Sequence, residues 1–228
     1  MKDILIIGAG KFGLKAADAL RRKNPFAEIT IVEKNSKTCC RINNLSFNIV
    51  CMDGIDYLVN HLKEYDDTKW IVPSIPVHVA FEWIKIKLSG NYRLEEMDVP
   101  GKLAITLPNV FKGENGQIYI SNADFICPDN CPEPEEICTY TGRPRPCILY
   151  KRLASIQYNG FRSVVIRSSQ LSPGVGGYTT DRLFNALSDI TASKNMPILL
   201  STACKCHGVM HAFCILKRGD GERAILKV

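Results

Sequence analysis

The run Lys2-Asp3-Ile4-Leu5-Ile6-Ile7-Gly8-Ala9-Gly10-Lys11-Phe12-Gly13 decides the fold of this chain. An apolar, β-branched stretch that ends on glycine is the pattern of a buried strand. Gly8, Gly10 and Gly13 follow it at G-x-G-x-x-G spacing. Behind them Leu14, Ala16, Ala17 and Leu20 recur at helical intervals. Arg21, Arg22 and Lys23 close the segment, where cations suit the helix dipole. Pro25 stops the helix, and Ile29-Thr30-Ile31-Val32-Glu33 reads as a second strand ending on an acid.

Each part has a physical task. Gly8 permits a tight turn, Gly10 offers no side chain to block a pyrophosphate, and Gly13 lets the helix pack against the strand. The N–H groups at the helix start attract phosphate. Glu33 lies 20 residues beyond Gly13, where a carboxylate accepts hydrogen bonds from a ribose diol and repels a 2′-phosphate. NAD is therefore expected over NADP, with Lys34 the one neighbour that favours the opposite choice. Residues 8–13 and Ile31-Val32-Glu33 together resemble the NAD-binding Rossmann segments of the TrkA-N type, found in potassium-uptake regulators and many dehydrogenases. The resemblance covers the first third of the chain. It implies a dinucleotide cradled by Gly8, Gly10, Lys11, Phe12 and Gly13, with Glu33 on the adenosine ribose.

The 228 residues are enough for one large domain or two small ones, and 46% hydrophobic with 23% charged residues is an ordinary globular balance. A net charge of +6 without a Lys/Arg run fits small anions better than a nucleic-acid surface. The apolar start reads as a strand rather than a signal peptide, and no apolar run reaches the ~20 residues of a spanning helix. No membrane insertion and a cytoplasmic location are the expectations; a homo-oligomer is compatible with them.

Further on, residues 48–51 and 70–72 read as strands, and residues 55–62 and 77–88 as helices. Residues 102–107 and 117–120 read as strands, and residues 147–156 as a helix. Residues 163–167 read as a strand, residues 172–177 as a loop, residues 180–192 as a helix and residues 197–201 as a strand. The fold class expected is α/β, a Rossmann-like parallel sheet with a second, smaller Cys-rich α/β region. Residues 1–92 would form the dinucleotide domain and residues 93–228 the Cys-rich region carrying the metal or substrate site. The later strands can alternatively extend the first sheet.

Ten cysteines are many for a reducing compartment. Cys127, Cys131 and Cys138 lie in a Pro-rich stretch kept out of regular structure, Cys147 follows it, and Cys204-Lys205-Cys206-His207 comes later. Cys127, Cys131 and Cys138 with Cys147, or with Cys204, Cys206 or His207, suggest ligands for an iron–sulfur cluster or zinc. Their spacing matches neither ferredoxin runs nor zinc C-x-x-C pairs, so the metal stays open. Free thiols are the alternative, and Cys51 and Cys214 read as small buried hydrophobes.

The glycine-rich loop with Gly176 precedes a helix and can bind an anion, and Arg143 and Arg145, stiffened by Pro144 and Pro146, can clamp one. His78 and Glu82, four apart on the expected helix, are candidate acid–base groups near the sheet edge, as is His207 beside its cysteines. Three functions follow. The first is an NAD-dependent redox enzyme acting on a small anionic substrate with a Cys-ligated iron–sulfur or zinc site. The second is a TrkA-like NAD(H)-binding sensor without turnover. The third is a metal- or cluster-binding protein on a degenerate Rossmann scaffold.

Overall fold

The computed structural model describes residues 3–43, 46–64, 69–193 and 196–218. Its first elements are β1 (Asp3–Ile7), α1 (Lys11–Lys23), β2 (Glu28–Glu33), α2 (Ser36–Ile42), β3 (Asn48–Cys51), α3 (Gly54–His61) and β4 (Trp70–Pro73). Then come α4 (Val79–Leu88), β5 (Tyr92–Met97), α5 (Gly101–Ala104), β6 (Phe111–Lys112), β7 (Ile118–Ser121) and α6 (Leu149–Ala154). The last are β8 (Arg162–Arg167), β9 (Ser169–Ser172), β10 (Val175–Thr179), α7 (Thr180–Ala192), β11 (Ile198–Ala203) and β12 (His207–Lys217). Among the described residues no helix is long and apolar enough to cross a membrane.

The chain forms two compact units. The first comprises Met1–Val79, Cys127–Arg143 and Ser168–Phe184, and the second Ala80–Ile126, Pro144–Arg167 and Asn185–Val228. The division expected at residue 92 thus differs from the one observed. Two later segments return to the first unit, because β9 and β10 find their hydrogen-bond partners there rather than in the second sheet.

The first unit holds a sheet of order β3-β2-β1-β4-β10-β9. Its strands β3, β2, β1 and β4 run parallel, with Ile6 of β1 beside Ile31 of β2 and Val72 of β4. The apolar run of β1 is buried because both faces are covered: Ile6 and Ile7 are inaccessible to solvent. Ala16, Ala17 and Leu20 of α1 bury their stripe against Ile4, Ile6, Ile29 and Ile31. The stretch expected as an anion-binding loop is instead a hairpin, β9 and β10, which adds two antiparallel strands beyond β4. Gly174 turns it at φ +72, a left-handed conformation that glycine adopts without strain. The Thr180 hydroxyl accepts the Lys69 N–H at 3.2 Å, tying the start of α7 to the residue before β4.

The second unit is built on a sheet of order β6-β7-β12-β11-β8, with β5 pairing β12. Among the described residues β8 and β11 pair parallel and the other pairs of this sheet are antiparallel. Leu149 and Leu153 of α6 pack against Leu199, Ala203, Met210 and Ala212. Residues 102–107, expected as a strand, begin instead with the short helix α5, since Leu103 and Ala104 donate back to the Pro100 carbonyl at 2.9 Å. Strand β5 sits in a stretch for which the sequence pattern gives no element: alternating Tyr92, Leu94 and Glu96 with Arg93, Glu95 and Met97 leaves no clean apolar face.

Candidate dinucleotide site

The carboxyl ends of β1, β2 and β4 converge on the glycine turn. The chain moves from β1 outward through β2 to β3, then returns to place β4 on the other side of β1. That reversal is the switch point at which open α/β sheets bind ligands. Gly8 takes φ +104, and its N–H donates to the Val32 carbonyl at 2.8 Å. A Cβ there would come within 2.9 Å of the Ser74 carbonyl oxygen. A Cβ on Gly13 would lie 1.9 Å from the Gly8 carbonyl oxygen, so α1 can reach the strand only through a glycine. Gly10 differs from both. It precedes α1 with φ −68, and a Cβ there would meet nothing within 4 Å. Its lack of a side chain serves no internal packing and leaves space open in front of the helix start.

Glu33 completes the cradle. Its Oε2 accepts the Ala9 N–H and its Oε1 the Asn35 N–H, both at 2.8 Å. The carboxylate is thereby fixed at the tip of β2, beside the glycine turn. No side chain caps α1, and its first turn carries no acid, so the positive end of the helix dipole is not neutralised from within the helix. This donor set fits a dinucleotide: backbone N–H groups for phosphate and a fixed carboxylate for a diol.

A cavity of about 450 Å³ lies next to this turn, lined by Phe12 and Ala16 of α1, residues 72–76 at the end of β4, and residues 174–176 of the hairpin. Phe12 is 57% exposed. Gly176 borders this cavity as a strand residue opposite Gln170, not as part of an anion-binding loop. A loop beginning at Cys127 closes one side of the same region. Asp129 Oδ2 meets Lys11 Nζ at 3.2 Å and Lys15 Nζ at 3.7 Å, and its carbonyl accepts from Lys15 Nζ at 3.0 Å. The Lys11 ammonium, aided by Lys15, holds the Asp129 carboxyl below the usual carboxylate range. The loop is further fixed by its backbone: the Cys131 carbonyl accepts from Gly174 N–H at 2.9 Å and from Gln170 Nε2 at 2.6 Å. Sequence reasoning missed Asp129 and the Ser74 turn. The available signal was Lys11 and Lys15 one helical turn apart, a pair of cations placed to hold an anion.

The other expected site residues are distributed over both units. His78 is buried and directly precedes α4, whose described residues begin at Val79, one residue later than the helix expected from residue 77; Glu82 lies in that helix. Burial raises the Glu82 carboxyl; Glu96 adds to the shift and Lys85 opposes it. Arg143, assigned to the first unit, is exposed, and Arg145, assigned to the second, donates its Nε–H to Cys206 Sγ at 3.0 Å. His207, exposed at the start of β12, gives its N–H to Cys204 Sγ at 3.3 Å. His211, four residues on, is buried and stacks on Phe81 with centroids 3.9 Å apart.

Cys127, Cys131 and Cys138 belong to the first unit and Cys147, Cys204 and Cys206 to the second. Among the described residues no three His, Cys, Asp or Glu side chains come together in an arrangement able to hold a metal ion. The Pro-rich loop uses its backbone to dock on the hairpin, and Cys138 N–H goes to the Arg143 carbonyl at 2.9 Å. Cys147 Sγ donates to Asn122 Oδ1 at 3.3 Å.

Strand, glycine turn, helix and acid define a Rossmann module of the NAD(H)-binding type, and residues 4–79 match the family model of the TrkA-N domain. Residues 80–216 match a second family model, AF_1314_C, described as the C-terminal domain of an uncharacterized protein, and the chain belongs to that family. The join between the two matches falls where the first unit gives way to the second. An uncharacterized protein of Archaeoglobus fulgidus is 29% identical over 224 residues, covering 91% of this chain and 97% of the relative. No solved structure matches significantly.

Proposed function

We propose that this chain binds NAD(H) as a nucleotide-responsive regulatory module, with the pyrophosphate on the N–H groups around Gly10 and the adenosine ribose on Glu33. The open space at Gly10 carries this reading: a glycine whose missing Cβ would touch nothing is explained by a ligand that approaches the backbone there. The fixed Glu33 carboxylate supports NAD over NADP, since a 2′-phosphate would meet it at close range. Lys11 and Lys15 add positive charge at the phosphate end. Among the residues lining the neighbouring cavity, only Ser74 brings a polar side chain. That supports recognition of a planar, largely apolar ring more than proton transfer.

Turnover of a small anionic substrate is the second reading, favoured by the 450 Å³ of space beside the glycine turn. The placement of the cysteines lends no support to an iron–sulfur or zinc component of that chemistry. Thermal unfolding with nucleotide tests the proposal. At a concentration a hundred times Kd, NADH should raise Tm by roughly 5–10 °C, and NADPH should do so less. Equal shifts with both would contradict the role of Glu33. Consumption of NADH during incubation with small carboxylates or carbonyl compounds would move the assignment to the enzyme reading.

A further inference from the structure

The ten cysteines carry thiols rather than disulfides, and two of them share one tight turn in which both sulfurs accept hydrogen bonds. The turn joins β11 to β12 and is closed by the Cys204 N–H on the His207 carbonyl at 2.9 Å. Cys204 Sγ receives the N–H groups of Cys206 and His207, each at 3.3 Å. Cys206 Sγ receives the Arg145 Nε–H at 3.0 Å. Donors and a guanidinium aimed at sulfur stabilise the thiolate over the thiol, and the thiolate is the nucleophile.

The turn is also held from outside. Asn122 donates its N–H to the Cys206 carbonyl at 2.8 Å and its Nδ2 to the carbonyls of Cys147 at 2.8 Å and Lys205 at 3.1 Å. Leu149 and Tyr150 donate to the Lys205 and Cys204 carbonyls. Both sulfurs belong to half-buried residues. Cys39 in the first unit offers the contrast: burial, then its contact with Cys51, pushes its thiol up to about 11.

We propose that the Cys204-Lys205-Cys206 turn is a peroxide-reactive dithiol, with Cys206 as the attacking thiolate and Cys204 as the resolving partner. Cys206 sulfur attacks one oxygen of hydrogen peroxide: an S–O bond forms, the O–O bond breaks, and hydroxide leaves to become water. The Cys204 thiolate then attacks the sulfenic sulfur of Cys206. An S–S bond forms, the S–O bond breaks, and the second hydroxide leaves as water with the proton that Cys204 gave up. Two thiols are oxidised by two electrons and one peroxide is reduced to two waters. Cα atoms two residues apart in a tight turn fall within the roughly 4.4–6.8 Å that a disulfide spans. The step needs no nucleotide, so its outcome is independent of the NAD(H) proposal.

The test uses the full chain, reduced, freed of thiols and then exposed to hydrogen peroxide. Iodoacetamide should modify Cys206 at least ~10-fold faster than Cys39 before oxidation. Peptide mapping after a digestion that spares Lys205 should show the 204–206 segment lighter by two hydrogens. Cys204→Ser should stop the reaction at a sulfenic acid trapped by dimedone. Arg145→Leu should remove the rate advantage and Arg145→Lys restore part of it. Alkylation of Cys206 no faster than that of Cys39 in the unmodified protein would overturn the proposal. So would a 204–206 segment that stays reduced while other cysteines oxidise, or zinc held at the turn that blocks alkylation.

Discussion

The two sheets of this chain use their edges differently. In the first unit, parallel strands send all their carboxyl ends to one side, and the glycine turn, Glu33 and the Ser74 turn gather there. In the second unit, antiparallel pairing alternates the strand ends, so a hairpin turn rather than a row of strand ends gathers Cys204, Cys206 and His207 at the β11–β12 connection. The difference teaches where each kind of chemistry can arise. Parallel topology concentrates backbone N–H donors for an extended anionic ligand, whereas a hairpin turn fixes a few side chains at short range.

The glycines of the first unit sharpen the comparison most. Gly13→Val should be the most damaging change: its Cβ would press on the Gly8 carbonyl oxygen, which is backbone and cannot move aside. A loss of about 3 kcal/mol or more, read by denaturant unfolding, is expected. An acid-side loss of stability belongs to the second unit. Burial holds the His211 imidazole down to about 4 against 6.5 when exposed. A depressed base is neutral in the fold yet protonates in the unfolded chain, so stability is full above pH 6.5 and declines as pH falls towards 4. The decline should approach about 3 kcal/mol, and His211→Phe should flatten that limb of the pH profile. Glu33→Ala should weaken NADH binding by about tenfold, or 1.4 kcal/mol, as followed by calorimetry. It should also narrow the preference over NADPH. Smallest of all, Lys85→Met should change stability by less than about 1 kcal/mol, because the pair with Glu96, although 2.5 Å long, is about 40% exposed on both sides.

Much of the first unit was legible because local rules agree there. Apolar β1, the glycine spacing, the α1 stripe and the acid at Glu33 each imply the same βαβ unit. Helix α7 over residues 180–192 was equally clear from its periodicity. Other features depend on distant partners. Residues 172–177 look like a glycine loop, yet β10 forms because β4 offers an unpaired edge, with Tyr178 opposite Ile71. The return of residues 127–143 to the first unit rests on backbone bonds from Gly174 and Gln170 to Cys131, which no spacing of cysteines reveals. Cysteine spacing suggests a ligand set without showing that three of those thiols belong to each unit. Arg145 reads as an anion clamp, and its guanidinium meets sulfur, a pairing across 61 residues that sequence does not announce.

The central claim is that Gly10 is kept for a ligand and Gly13 for the fold. The most direct measurement is thermal unfolding of Gly10→Val with and without NADH. The substituted Cβ enters open space, so the Tm without nucleotide should match that of the unmodified chain, and the NADH-induced rise should vanish. An unchanged rise with NADH would contradict the account, because the nucleotide would then be bound elsewhere or not through this turn.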